Sequence, residues 1–158
     1  MPGRRTSDAV RVVVQRVSSA RISVEGEEIA AMGLGLLALV GVGHDDTPAV
    51  AQDLARKLVH LRVFEDERGR MNRSLCDVGG TLGVVSQFTL YGDAHQGRRP
   101  SYTGAAPAEV AAPLIEAVAQ AVRDLGVPVV TGRFQATMDV ALVNAGPVTI
   151  LLDTQRRF

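Results

Sequence analysis

The sequence predicts a single-domain α+β protein in which a curved, mostly antiparallel, barrel-like sheet carries two main helices. The chain has 158 residues, a length that suits one domain with its own core. Strand-length apolar runs separated by turns fill most of the sequence, and only two stretches show helical periodicity. Two helices cannot cover both faces of a flat sheet of about eight strands, so the sheet is expected to curl on itself.

In the first half, several predicted strands precede one helix. The strands are expected at residues 10–17, 21–24, 29–32 and 33–42, with a turn at residues 25–27. The run Asp45-Asp46-Thr47-Pro48 predicts a helix start, because cap residues precede a proline that suits the first turn. Apolar side chains at helical spacing then predict an amphipathic helix of about four turns: Val50, Leu54, Leu58 and Leu61.

The second half alternates short strands, loops and a longer helix. One strand is predicted to begin at residue 63 and to end in a charged turn at 65–70, and another spans residues 82–90. Residues 92–107 form a long polar segment, and such segments in a small domain are usually functional. A helix is predicted at residues 107–125, with Pro113 disturbing its first turn and Gly126 ending it. The closing strands are predicted at residues 127–130, 138–143 and 148–152.

Composition excludes several classes of protein. Lys plus Arg and Asp plus Glu both number 17, and this zero net charge argues against coating a long nucleic-acid backbone such as DNA. It is compatible with gripping a single exposed end of RNA. No run approaches the ~18 apolar residues of a membrane span. Cys76 is the only cysteine, so no internal disulfide can form and a cytoplasmic location is expected. Residues 1–9 are basic without an apolar region behind them, which argues against a signal peptide, and we expect them to be a disordered N-terminal extension to a domain at residues 10–158.

No metal or organic cofactor is expected. His44, His60 and His95 lack the spacing of metal ligands, and His44 beside two aspartates is better explained by a loop and helix cap. The two Gly-x-Gly runs, at 33–35 and 41–43, lack the third glycine of a dinucleotide site. Cys76 is expected to be a small buried residue and not a nucleophile.

The run Ser86-Gln87-Phe88-Thr89-Leu90 is the first candidate for chemistry. It closes an apolar stretch at residues 82–85, so small polar groups and backbone amides lie beside a core strand. Ser86 and Thr89 offer hydroxyls, but no Ser-His-Asp arrangement can be assembled around them. Two backbone N–H groups aimed at one point can form an oxyanion hole. An ordinary strand end is the simpler alternative.

The run Asn144-Ala145-Gly146-Pro147-Val148-Thr149 is the second candidate. It places Gly146-Pro147 inside an apolar stretch that otherwise reads as a central strand. Because proline cannot donate to a strand ladder, a bend, an edge or a special turn is expected there. A simple bulge in an edge strand is the alternative.

Together, these two runs resemble the D-aminoacyl-tRNA deacylases, editing enzymes that hydrolyse D-amino acids from tRNA. The resemblance covers about residues 10–154. Gln135, Thr137 and Ala145 depart from the family pattern. Further matches stand at Gln15-Arg16-Val17, Arg70-Met71-Asn72, Arg99-Pro100-Ser101 and Thr131-Gly132-Arg133-Phe134.

The resemblance implies a homodimer whose active site lies at the subunit interface and takes the acceptor end of a D-aminoacyl-tRNA. It implies that Ser86, Gln87, Phe88 and Thr89 line the catalytic site, with the Phe88 and Thr89 amides holding the oxyanion. The terminal 2′-hydroxyl of the RNA would assist water attack. The open alternatives are Thr89 as a covalent nucleophile, and a non-catalytic dimeric module that binds small molecules or RNA ends.

The resemblance also implies a chiral filter. A cis Gly146-Pro147 bond from one subunit would place carbonyl oxygens where an L side chain must go, so that D-aminoacyl and glycyl esters are accepted. Arg16 would brace this loop, and Met138 would lie near the terminal adenosine. Asn144 and Phe134 complete the expected substrate-binding residues. Arg98, Arg99 and Arg133 are candidates for phosphate contact, or else solvated surface.

Overall fold

The computed structural model describes residues 10–44 and 46–154, so the predicted extension at 1–9 and Asp45 of the predicted helix start lie outside the described residues. The helices are α1 (Ala49–His60), α2 (Leu75–Val78) and α3 (Ala108–Asp124), and a 3₁₀ turn spans Phe88–Tyr91. The strands are β1 (Arg11–Val24), β2 (Glu27–Met32), β3 (Gly35–Gly41), β4 (Phe64–Glu65), β5 (Met71–Arg73), β6 (Thr81–Ser86), β7 (Val129–Thr131) and β8 (Asp139–Asp153).

The main sheet is mixed, and the expectation of a mostly antiparallel sheet is wrong. Its order is β2-β1-β3-β6-β7, with β8 also paired to β1. β3 pairs with β6 in parallel, and so does β6 with β7. Both parallel pairs are joined by chain segments that contain helices, and parallel neighbours need such crossovers. β2 contacts β7 at the ends of the path, so the sheet is nearly closed and barrel-like.

Two predicted breaks in strands are absent. The runs predicted at 10–17 and 21–24 are one 14-residue strand, β1, and those at 138–143 and 148–152 are one 15-residue strand, β8. β1 and β8 pair antiparallel along their length, with register shifts on either side of Val17. Residues 145–148 of β8, which include the proline, bulge out of the ladder between these pairs, and pairing resumes at Gln15 and Thr149.

The alternation of side chains along the strands divides the core in two. The larger cluster packs α1 and α3 against one sheet face, where Leu36, Ala38 and Val40 are fully buried. The smaller cluster lies on the other face, inside the curl, and contains Leu37 and Val85. A strand with both faces buried reads as a continuous apolar run, which is what residues 34–42 show. Both helices expected from periodicity are present, and Pro113 occupies an exposed position in α3.

The short helix α2 was not predicted, and its position makes the expectation of a buried Cys76 wrong. Ser74 and Asp77 form a capping box: the Asp77 N–H donates to Ser74 Oγ at 3.2 Å, and the Ser74 N–H donates to the Asp77 carboxylate at 2.8 Å. Leu75 is buried against the larger core, and the next residue, Cys76, is exposed. None of the helices in the described ranges is long and apolar enough to cross a membrane.

Candidate active site

A cleft of about 610 Å³ opens where β6 ends. One wall is the stretch from Ser86 to Thr89, and the facing wall is residues 134–138, which lead into β8. Small side chains near the start of α3, Ala108 and Ala111, leave room at the base. The remaining lining residues are Val42, Val85, Ala106 and Val140. These apolar lining residues were missed by sequence reasoning, because as isolated valines and alanines they look like any core position.

The strand predicted at 82–90 ends earlier than expected, and the cleft opens at the point where it ends. β6 stops at Ser86, and Gln87 makes one more ladder bond, its N–H donating to the Val40 carbonyl at 2.8 Å. The chain then turns through Phe88–Tyr91, called here the 88–91 turn. The Leu90 N–H donates to the Gln87 carbonyl at 3.3 Å, closing the turn. The first amides of a helical turn have no intrahelical acceptor, so the Phe88 and Thr89 N–H groups are the donors that this wall of the cleft can offer.

Side chains on this wall are oriented by a local hydrogen bond. Gln87 Nε2 donates to Thr89 Oγ1 at 3.1 Å. Thr89 is exposed, and Phe88 is 57% exposed although it is a large apolar residue. The Phe88 ring packs edge to face on Tyr102, with centroids 5.2 Å apart. This contact ties the long polar segment predicted at 92–107 to the 88–91 turn.

The facing wall holds Phe134 and Met138, both expected substrate-binding residues. Gly132 makes room for Met138, because a Cβ at Gly132 would lie 2.6 Å from the Met138 sulfur. Gln135, one of the departures from the family pattern, has a left-handed φ of +64° and lines the cleft. Non-glycine residues rarely adopt this conformation.

Among the described residues, none that lines the cleft has an ionisable side chain: the polar groups there are hydroxyls, amides and backbone. The lowered carboxyl pKa values lie elsewhere, at Asp66, Asp77 and Asp93, each lowered mainly by a backbone N–H donated to the carboxylate. Among the described residues, no group of three His, Cys, Asp or Glu side chains could hold a metal ion. The lining residues therefore offer no conventional acid–base pair.

Gly146 and Pro147 lie in a loop of β8, residues 144–149, called here the Gly-Pro loop. The peptide bond between them is cis, and Gly146 has φ +120°. Val17 pairs with Asn144 and Gln15 pairs with Thr149, so residues 145–148 bulge opposite the single residue Arg16. The bulge explains how a proline fits within a long strand.

Arg16 contacts this loop from β1. Its Nε donates to the Ala145 carbonyl at 3.1 Å, and its Nη1 donates to the Val63 carbonyl at 2.7 Å. A Cβ added to Gly146 would lie 2.6 Å from Arg16 Nη2 and 2.9 Å from Val148 Cγ2. Glycine is thus required at residue 146 by both conformation and space.

Asn144 holds the loop from inside. Its Oδ1 accepts the Val148 N–H at 3.2 Å, a bond that crosses the bulge. On the outgoing side, Thr149 Oγ1 donates to Gln15 Oε1 at 2.6 Å. The loop is therefore braced by side chains from two strands, Gln15 and Arg16 of β1 and Asn144 of β8.

Within one chain, the predicted site residues form two groups. Ser86, Gln87, Phe88, Thr89, Phe134 and Met138 line the cleft. Arg16, Asn144, Gly146 and Pro147 form the Gly-Pro loop and its braces, and none of these four lines the cleft.

His44, which the sequence analysis weighed as a metal ligand, lies in a loop where its Nε2 is within hydrogen-bonding distance, 2.6 Å, of the Thr103 carbonyl oxygen.

Comparison with known proteins assigns a family to this arrangement. The family model described as D-Tyr-tRNA(Tyr) deacylase matches residues 13–153. A protein of Thermomicrobium roseum named D-aminoacyl-tRNA deacylase is 59% identical over 145 residues, covering 92% of this chain and 94% of that protein. One of the same name from Thermus aquaticus is 51% identical over 148 residues, covering 94% and 97%.

Solved structures share the fold. One described as c-Myc DNA unwinding element binding protein has a TM-score of 0.84 and 38% identity, covering 90% of this chain and 97% of its own. A structure described as a probable eukaryotic D-amino acid tRNA deacylase has a TM-score of 0.79 at 19% identity, and covers 92% and 99%. On the family match and these identities, the chain belongs to the D-Tyr-tRNA(Tyr) deacylase family.

Proposed function

We propose that this chain is a D-aminoacyl-tRNA deacylase, which hydrolyses the ester between a D-amino acid and the 3′-terminal ribose of tRNA. The observation that carries this proposal is the cleft itself, where the amides of Phe88 and Thr89 border a space without ionisable side chains. Ester hydrolysis needs stabilisation of an oxyanion, and backbone N–H groups supply it without any protein charge. The catalytic domain would comprise residues 10–158, acting in the cytoplasm, where charged tRNA is used.

The mechanism that fits this cleft uses the substrate's own hydroxyl. The 2′-hydroxyl next to the ester is held within the site and assists attack by water, while the Phe88 and Thr89 amides take the developing negative charge. The protein then contributes position and hydrogen bonds, which suits a lining of amides and hydroxyls. No cofactor is needed for this chemistry.

The first alternative makes Thr89 a covalent nucleophile. A threonine nucleophile needs a neighbouring base, and none of the cleft-lining side chains is one. Thr89 Oγ1 also already accepts a hydrogen bond from Gln87, which lowers its nucleophilicity. The geometry therefore favours the RNA-assisted mechanism.

We propose that the substrate-selective part of the site comes from a second copy of the chain. β8 pairs with β1 along one edge, and none of the described strands pairs with its other edge. Its outer side chains include Leu142, Val143 and Leu151, which are 36%, 55% and 49% exposed. A long, apolar, unpaired strand edge is a site for association, and the Gly-Pro loop lies on this strand.

In the proposed homodimer, the Gly-Pro loop of one protomer enters the cleft of its partner and rejects L-amino acids by occupying space. The braces from Arg16 and Asn144 keep the loop carbonyl oxygens from yielding to a side chain. Such a filter does not recognise any particular D side chain, so glycyl-tRNA is also a proposed substrate. Met138 and Phe134 would contact the terminal adenosine, and Arg98, Arg99 and Arg133 would approach the acceptor-end phosphates.

We do not propose that this chain binds DNA. The relative described as a DNA unwinding element binding protein is 38% identical, yet this chain has no net charge with which to neutralise a duplex. We propose the acceptor end of tRNA as the nucleic-acid partner, without DNA or membrane.

The test is ester loss from D-Tyr-tRNA and L-Tyr-tRNA incubated with the purified full-length chain. Hydrolysis of the D ester alone is expected. Decay of neither ester would indicate the non-catalytic binding module, and equal decay of both would remove the filter. A D-Tyr-tRNA ending in 2′-deoxyadenosine separates the two mechanisms. It should resist hydrolysis, while Thr89→Ala should retain substantial activity; the covalent mechanism predicts the reverse.

A further inference from the structure

We infer that Arg11 is a positioning residue for the proposed reaction, holding the 88–91 turn in place from the first strand of the sheet. This inference rests on the proposed deacylase function. Arg11 does not line the cleft, so it has no direct access to substrate there. Two of its contacts, to the Leu90 carbonyl and to the Tyr91 ring, lead to the turn whose first amides would border the ester.

Strand pairing in the sheet places Arg11 next to the 88–91 turn. Arg11 is paired with Gly41 of β3 on one side and with Asp153 of β8 on the other, so the three residues share one face of the sheet. Gly41 has no side chain to fill this face. A Cβ there would lie 3.0 Å from Tyr91 Cε2, 3.1 Å from the Gln87 carbonyl oxygen and 3.2 Å from Leu90 Cβ. The 88–91 turn therefore rests directly on β3.

Arg11 fastens the turn at this place through two contacts. Its Nη1 donates to the Leu90 carbonyl at 3.2 Å, and its guanidinium lies 4.7 Å from the centroid of the Tyr91 ring. Tyr91 is only 3% exposed, and a cation–π contact is stronger when it is removed from water. The Tyr91 hydroxyl is 3.5 Å from the Gly41 carbonyl, which links the ring back to the same strand.

The rest of the turn is held by the Gly92 N–H, which donates to the Thr89 carbonyl at 2.9 Å, and by an aromatic contact. Phe88 packs on Tyr102, but both rings are largely exposed, at 57% and 38%. Residues Phe88–Tyr91 form a single turn in which the Leu90 N–H donates to the Gln87 carbonyl, so a shift of Leu90 would be transmitted to the peptide unit that carries the Phe88 N–H. The hydrogen bond from Arg11 to the Leu90 carbonyl holds Leu90 in place. Displacements near 1 Å in a catalytic group can cost about 100-fold in rate.

The experiment compares substitutions at two arginines of β1. Arg11→Met keeps an unbranched chain but removes the guanidinium; Arg21→Met is the matched control, because Arg21 is 70% exposed and forms only a 4.0 Å ion pair with Glu28. Single-turnover hydrolysis of D-Tyr-tRNA over a range of protein concentrations gives the maximal rate and the half-saturating concentration separately. A 10- to 100-fold lower maximal rate is expected for Arg11→Met, at an unchanged half-saturating concentration. Arg21→Met should match the unmodified chain.

A conservative variant and a spectroscopic measurement separate positioning from a purely structural role. Arg11→Lys keeps the charge and a donor nitrogen but not the planar guanidinium, so it should recover part of the rate. The ¹⁵N–¹H resonances of Phe88 and Thr89 should shift in Arg11→Met and stay in place in Arg21→Met. If Arg11→Met does not fold, Arg11→Lys still has to show a reduced maximal rate.

Each failure has its own signature. An unmodified chain that leaves D-Tyr-tRNA intact overturns the proposed function. An active unmodified chain whose Arg11 variants keep the maximal rate, or lose only affinity, overturns the role of Arg11 alone. Unmoved Phe88 and Thr89 resonances in a slow variant would also contradict positioning of the turn.

Discussion

The cleft wall at the 88–91 turn and the Gly-Pro loop place backbone polar groups in opposite ways. In the proposed mechanism, the turn offers the Phe88 and Thr89 N–H groups to an open cleft of about 610 Å³. The loop is proposed to present carbonyl oxygens, and its space is so filled that a Cβ at Gly146 would lie 2.6 Å from Arg16 Nη2. Donors stabilise a charge that develops during reaction, whereas packed carbonyls exclude a group that should never enter. Under the proposed function, this difference would let one protein catalyse and discriminate with a cleft whose described lining carries no charged side chain.

Gly146→Ala is expected to have the largest effect, because it overfills the loop and imposes a side chain at φ +120°. Hydrolysis of D-Tyr-tRNA should fall more than about 100-fold as the displaced loop obstructs the cleft. Gly69→Ala is the matched control, since Gly69 has φ +74° with nothing within 4 Å of a new Cβ. Near-normal turnover by Gly146→Ala would show that the loop is not part of the site.

Val143→Asp should come next, since it places a charge on the exposed apolar edge of β8. The proposed dimer should dissociate and activity should fall with it, because burying an unpaired carboxylate at an interface is costly. Sedimentation and hydrolysis measured on the same samples check this. Leu125→Asp is the control, an equally apolar side chain that is 40% exposed at the end of α3. A monomeric Val143→Asp protein with full activity would confine the site to one chain.

Arg16→Met tests the brace without adding bulk to the loop. Loss of the bonds to the Ala145 and Val63 carbonyls should loosen the filter, with the ratio of D to L hydrolysis falling about 10-fold. The ratio is measured with D-Tyr-tRNA and L-Tyr-tRNA under identical conditions. A lower rate on both esters at a constant ratio would assign Arg16 to general stability instead.

The pH dependence should distinguish the cleft from the surface. Because the described lining of the cleft holds no ionisable side chain, the rate should show no bell-shaped profile between about pH 6 and about pH 8. Asp66, Asp77 and Asp93 have pKa values lowered below 3.8, chiefly by the backbone N–H groups of Arg70, Ser74 and His95 respectively. Their contribution to stability is complete above that value and is lost as the pH falls through their folded-state pKa values. A rate profile with a step near the histidine pKa would reveal an unrecognised general base.

The smallest effect is expected for Ser74→Ala, far from both regions. It removes the capping box of α2 and should cost about 1 kcal/mol in the free energy of unfolding. Urea unfolding measures that cost, and the ratio of D to L hydrolysis should not change. A changed ratio would mean that α2 is coupled to the filter.

Sequence reasoning identified the parts of this molecule that short stretches of sequence specify on their own. The helical periodicity of Val50, Leu54 and Leu58 located α1, and the two motifs pointed to the two halves of the proposed site, of which residues 86–89 line the cleft. The 88–91 turn was misread as strand because Phe88 and Thr89 favour strands, and what bends the chain there is contact with Gly41 and Arg11 from distant strands.

Other errors have similar tertiary causes. The continuity of β8 through Pro147 depends on a bulge opposite Arg16, which neither run reveals alone. The parallel pairing of β3 with β6 depends on where the chain segment between them, which contains α1 and α2, packs against the sheet. The capping box of Ser74 and Asp77 was readable in the sequence, but a helix of 4 residues shows no periodicity.

A mixed-dimer experiment tests the central claim, that each cleft is completed by the Gly-Pro loop of its partner. Gly146→Ala damages the loop, and Ala136→Trp fills the cleft of its own chain, because Ala136 lines it. Each variant alone should be inactive on D-Tyr-tRNA. After co-refolding equal amounts, mixed dimers should contain one intact cleft facing one intact loop, restoring roughly a quarter of the unmodified activity. No recovery in verified mixed dimers would contradict the claim, because a loop that serves its own cleft leaves both sites broken.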